Sequence, residues 1–357
     1  ANTTGQYNVA FGSSALRLNT IGNNNVGIGT SSLQYNTTGG NNTAVGYYSL
    51  NANTTGQYNV AFGSSALRFN TAGSSNIAIG FCALRDNTVG QCNIAVGSHA
   101  MQNNETGSIN VAIGKSALLN NTTGGQNVAI GERSLENNNA CFNIGVGFLT
   151  LASNTTGYSN VAIGQRAMSS NTTGRNNTAV GYCALGRNTT GGCNVAIGFA
   201  ASLLNTTGFY NIAVGQCTLY NNTIGTSNTA LGRSALFANT TGNCNVAVGR
   251  SALESNTTGI ENVSVGTCSL HENTTGNYNT SVGGSSLKNN TTGINNTAVG
   301  YSAMISNTIG INNTAIGTST LYANTTGIDN VAIGAYALCK NTIGTSNTAL
   351  GRSALFA

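Results

Sequence analysis

The side chains best able to do chemistry are few in this chain and far apart. Its two histidines, His99 and His271, lie in distant parts of the 357-residue sequence. No pair of imidazoles is therefore available for metal binding or acid–base work, and each is expected to be a lone solvated residue. The eight acidic residues are scattered. Glu132 and Glu136 come nearest to a deliberate pair, and they read as surface residues rather than as a two-carboxylate glycosidase centre. Gly114-Lys115-Ser116 matches the end of a phosphate-binding loop, but Ile109 stands where such a loop needs its first glycine. Catalysis needs unlike groups converging on one place, so no enzyme, no cofactor and no metal site is expected.

The nine cysteines follow a pattern of their own. Cys82 and Cys92 are ten residues apart, and Cys183 and Cys193 repeat that spacing. There is no C-x-x-C, which argues against zinc. Two readings stand: a disulfide between coils or subunits in an oxidising compartment, with Cys82, Cys92, Cys183 and Cys193 as candidates, or cysteine as a tolerated small residue.

What must hold these residues is a repeat. The phrase xNTTGxxNVAIGxxALx recurs every seventeen residues, twenty-one times, and fills residues 1–357 as a single array. Counting Ala1 as position 1, position 8 is asparagine in every copy (Asn8, Asn25, Asn42 onward), and so is position 2 (Asn2, Asn19 onward). Position 12 is always glycine, as in Gly12 and Gly29, and position 5 is glycine in every copy but one. The exception lies at residues 138–143, where the turn is one residue short and lacks its glycine. Repetition at a short fixed period marks a stacked architecture.

At positions 9 and 11 stand large aliphatic or β-branched residues with a small one between them, as in Val9-Ala10-Phe11 and Ile77-Ala78-Ile79. Such alternation is a strand signal. Position 16 is leucine or methionine except at Ser202, and it is expected to form a second, shorter strand. Corners are expected at Gly12 and over Asn2-Thr3-Thr4-Gly5, where glycine and asparagine suit turns. The fold expected is an all-β parallel β-solenoid, or β-roll, of about twenty-one coils with seventeen residues per coil. At a strand spacing of about 4.8 Å its length would be roughly 100 Å. Identical amides stacked one per rung can bond along the axis, so Asn8, Asn25, Asn42, Asn2 and Asn19 are structural ladder residues, with Gly12 and Gly29 at the corners.

Three aliphatic side chains per coil bury little against the cost of ordering seventeen residues. A partner chain is therefore expected, with the small column at position 10 offering a strip for close approach. Whether that strip or the Val/Ile face turns inward is open at this level. Position 4 varies among Thr4, Ile21, Ala72 and Val89 and is expected to point inward, whereas positions 3, 6, 7, 13, 17 and 1 are expected to face solvent.

Charged residues make up 6% of the chain and proline is absent, which fits central strands whose every N–H is needed. The net charge of +5 is spread out and cannot track a phosphate backbone, so nucleic acid is not an expected partner. No apolar run is long enough for a membrane span. Residues 222–238 recur identically as 341–357, and the chain reads as a segment of a longer array. Asn-x-Thr sequons at position 2, such as Asn36 and Asn121, follow from turn chemistry alone. Tyr47, Phe81, Phe148, Tyr182, Phe199 and Tyr301 share position 13 as an intermittent aromatic stripe.

The run Asn-Val-Ala-Ile-Gly at 110–114, 127–131, 160–164, 194–198 and 330–334 resembles the head repeat of trimeric autotransporter adhesins. The longer phrase at 36–47, 171–182 and 290–301 is similar to arrays in tail-fibre proteins of phages and large viruses. This resemblance implies a left-handed parallel β-roll, assembled as a homotrimer, in an extracellular, cell-surface or virion fibre. The period is longer here than in adhesin heads, and the extra residues enlarge a corner. The expected function is that of a rigid shaft, of tail-fibre or surface-adhesin type, whose partner is itself, with a host-surface receptor or glycan as a further partner. The alternative is an ice-binding solenoid that uses the threonine array Thr3, Thr20, Thr37 and Thr54.

Overall fold

Each repeat contributes one strand of three residues at positions 9–11, from Val9–Phe11 in the first copy to Thr348–Leu350 in the last. The computed structural model describes residues 2–356, and it is an all-β parallel solenoid of about twenty-one turns. Strands of successive coils pair in parallel with identical positions opposite one another: Val9 faces Val26, Ala10 faces Gly27 and Phe11 faces Ile28. Among the described residues no helix is long and apolar enough to cross a membrane.

By its contacts the chain divides into two compact units, one up to Asn177 and one from Thr178. In the first, ten strands pair in chain order from Val9–Phe11 to Val161–Ile163. In the second, eleven do so from Thr178–Val180 to Thr348–Leu350.

The small residue at position 10 faces the interior. Ala44, Ala61 and Ala78 are fully buried, whereas Ile79 is 40% exposed and Phe62 57%. The core therefore consists of three columns, at positions 10, 15 and 16, as in Ala61, Ala66 and Leu67. Positions 10 and 15 meet across it and compensate for one another. Where Gly27 replaces alanine, Ser32 fills the space, its Oγ 3.1 Å from where a Cβ would stand. Where position 10 is serine, position 15 is serine too, and the hydroxyls of Ser264 and Ser269, and of Ser281 and Ser286, bond to each other. A core this narrow has no room for the Val/Ile columns, which is why they point outward.

Among the described residues no second strand forms at position 16. The residues at positions 14 and 16 adopt left-handed backbone conformations, as at Ser65 (φ 59°) and Leu67 (φ 50°). This left-handed, tight path curls the chain back after Gly12 instead of extending it. A left-handed leucine costs about 1–2 kcal/mol. Full burial of Leu67 offsets this by about 1.5–3 kcal/mol, and its N–H finds the carbonyl of Ala83 in the next coil at 3.0 Å. Position 4 also differs from expectation: Ile21 is 50% exposed and Val89 45%. The corner turns these side chains outward because the interior beneath it is filled by the two asparagine columns.

Candidate functional site

The outer face of the sheet carries two side-chain columns, positions 9 and 11, drawn entirely from Val, Ile, Leu, Phe and Thr. Ile113, Ile130, Ile163 and Ile197 are each about two-fifths exposed. Parallel sheets ordinarily have both faces covered, and large uncharged exposed patches mark interaction surfaces. The backbone makes the face regular, because one residue per coil at a fixed register sets each column.

The asparagine columns lie within the corner beside this face. At position 8, the Asn25 backbone N–H and Nδ2 both donate to Oδ1 of Asn8, at 3.0 and 3.2 Å. Asn42 does the same to Asn25. At position 2, Nδ2 of Asn19 donates to Oδ1 of Asn2 at 2.9 Å. The two columns join at the carbonyl of position 5, where Gly22 O accepts from Asn8 Nδ2 (2.8 Å) and from Asn19 Nδ2 (3.0 Å). Buried amides must be satisfied, and here the columns are satisfied by copies of themselves and by the position-5 carbonyls, except at the shortened coil, where Asn138 donates to Ala140 and the buried Oδ1 of Asn121 is left without a partner. A Cβ at Gly22 would collide with the Gly39 carbonyl and with Asn19 Oδ1, so glycine at position 5 is required for space. Column-2 amides such as Asn36 and Asn121, both N–H groups engaged, have none left for a glycan.

At position 3 the backbone gathers three donors onto one acceptor. The N–H groups of Thr20, Ile21 and Gly22 point at the Thr37 carbonyl at 3.1, 3.2 and 3.3 Å, and the Thr20 hydroxyl donates to the same oxygen at 2.9 Å. The threonine array is thus committed to the axis through its hydroxyls, with Thr20 and Thr37 part-buried and Thr3 and Thr71 still exposed. In the shortened coil the backbone carbonyl is replaced by a side chain: Oδ1 of Asn139 receives the N–H groups and hydroxyls of both Thr122 and Thr123. Ala140 takes over the role of the missing glycine, its carbonyl accepting from Asn127 and Asn138.

The other residues singled out above are not brought together. Cys82, Cys92, Cys183 and Cys193 are free thiols, as are the other five cysteines. Positions 7 and 14 flank the extended stretch 8–12, which at about 3.3 Å per residue holds them well beyond disulfide reach. Glu136 pairs with Arg133 at 2.8 Å and Glu132 lies 3.9 Å from Lys115. His271 is not solvated and alone: its Nδ1 lies 2.8 Å from Glu272 and its Nε2 3.1 Å from Glu254. Glu254 is seventeen residues earlier, one coil away, and only knowledge of the stacking connects them. His99 packs edge-on against Phe81, with ring centroids 5.2 Å apart. In the aromatic stripe, Tyr182 and Phe199 stack at 5.4 Å. Among the described residues no cluster of three His, Cys, Asp or Glu side chains could hold a metal ion.

No protein-family model matches this chain, and no characterised protein matches it.

Proposed function

We propose that this chain is a rigid structural segment of an extracellular or virion fibre, of shaft or adhesin type, and that it assembles as a homotrimer through the outward sheet face. The observation that carries the reading is the pair of charge-free columns at positions 9 and 11, left exposed on a parallel sheet. Axial bonding of every corner supports a role in stiffness, because the backbone and two amide columns are committed along one direction. Ice binding is less well supported, since the position-3 hydroxyls are spent on carbonyls of the next coil.

The test is the mass of the purified assembly by light scattering, alongside a variant with Ile113→Lys and Ile163→Lys. Three chains per particle, falling to one in the variant with its circular dichroism unchanged, is the expected result. A monomeric parent protein would overturn the trimer.

A further inference from the structure

We propose that the shortened coil carries a binding site for an acidic saccharide. Three successive rungs form a notch of about 340 Å³ past the Gly corner, away from columns 9 and 11. Its middle rung contributes Leu149 and the buried Ala152 as an apolar lining. Arg133 and Glu136 form one wall, and Arg166 and Ser169 the other. Position 14 is small or uncharged in the other coils, mostly serine or cysteine, and its only two arginines are these two, one on each side of the irregular coil. They stand two rungs apart, about 10 Å along the axis.

The two arginines differ in what they have left to offer. Arg133 donates from Nε to Glu136 at 2.8 Å, and that carboxylate is only 14% exposed. Among the described residues Arg166 has no ion pair, so the notch holds one uncompensated guanidinium. A guanidinium left in this state suits a carboxylate, which it can bind bidentately. The hydroxyls of Ser153 and Ser170 make no hydrogen bond within the described protein and can serve sugar hydroxyls. Asn137 has less to offer, since its amide already donates to the Ala152 carbonyl and accepts from Asn120. Leu149 and Ala152 present C–H surface to a sugar ring. Small inorganic anions would use the guanidinium alone and leave the apolar lining and hydroxyls unmatched. The proposal does not depend on the trimer.

Glucuronate is the probe, titrated into the full chain while the Arg side-chain and Leu149 methyl NMR signals are followed. Saturable shifts confined to this notch are expected, with methyl glucoside and sulfate each binding about tenfold or more weakly than glucuronate. Arg166→Gln is expected to lower affinity by about tenfold or more, and Ala152→Leu, which fills out the apolar lining, to abolish the shifts. Methyl glucoside binding equal to glucuronate would overturn the role of charge, and sulfate binding equal to glucuronate would overturn recognition of a sugar. Absence of saturable shifts, or equal binding by the folded Arg166→Gln protein, would overturn the site itself.

Discussion

Oδ1 of Asn139 lies 3.1 Å from the backbone nitrogen of Thr122 and 2.9 Å from that of Thr123, where the neighbouring coils place a threonine carbonyl. A side chain has replaced a backbone atom, and the ladder continues through a turn that is one residue short. Asn139→Ala is expected to destabilise this coil by about 0.5–1.5 kcal/mol, the net worth of hydrogen bonds lost at an exposed turn. Asn139→Asp keeps the acceptor and should cost little. Because stability in a stacked array is nearly local, hydrogen exchange of the Thr122 and Thr123 amides is the measurement. Equal protection in the alanine and aspartate variants would refute the role.

Column 8 should be far less tolerant than the surface. Asn76→Ala removes the acceptor of the Asn93 N–H and amide, and the donor to Asn59 and Gly90. The expected loss is about 3 kcal/mol or more. Asn289→Ala, at an exposed position 1, is expected within about 0.5 kcal/mol of the parent. Urea denaturation of both variants makes the comparison.

Two glycines should respond oppositely to alanine. Gly63 has φ of 136°, and a Cβ there would lie 2.5 Å from the Gly80 carbonyl. Gly63→Ala combines strain with a backbone collision and is expected to cost more than about 3 kcal/mol. A Cβ on Gly284 meets only the Tyr301 ring at 3.5 Å, and Gly284→Ala is expected to gain about 0.4–1 kcal/mol by restricting the unfolded chain. Thermal midpoints of the two variants on either side of the parent are the expected outcome.

Thiol reactivity should follow burial. Cys92 and Cys244 are exposed and Cys82 is buried, so iodoacetamide is expected to modify the first two first. Burial raises the Cys339 thiol above its ordinary pKa, against a smaller lowering by Lys340. Less thiolate is then present at a given pH. Its alkylation should be slow near neutrality and should keep rising with pH into the alkaline range. Peptide mass spectrometry after timed alkylation at several pH values reads all four sites. A Cys339 rate already level at neutral pH would contradict the raised pKa.

The period by itself determined the parallel solenoid, because residues that must match their own copies at every rung leave only one stacking. It likewise determined the two asparagine columns and the glycine corners, since a buried amide and a crowded backbone tolerate few substitutes. Which way Val26 and Ala44 face was left to the tertiary structure. Alternation defines two faces but not which is inside, and the narrow space between positions 10 and 15 decides it. The same holds for Leu67, whose hydrophobicity reads as a strand but whose left-handed φ arises only where the chain curls to bury it. Glu254 with His271 and Asn139 beneath Thr122 are neighbours through stacking alone, and Arg133 and Arg166 come to line one notch in the same way, so these juxtapositions are a property of the coil's height and register.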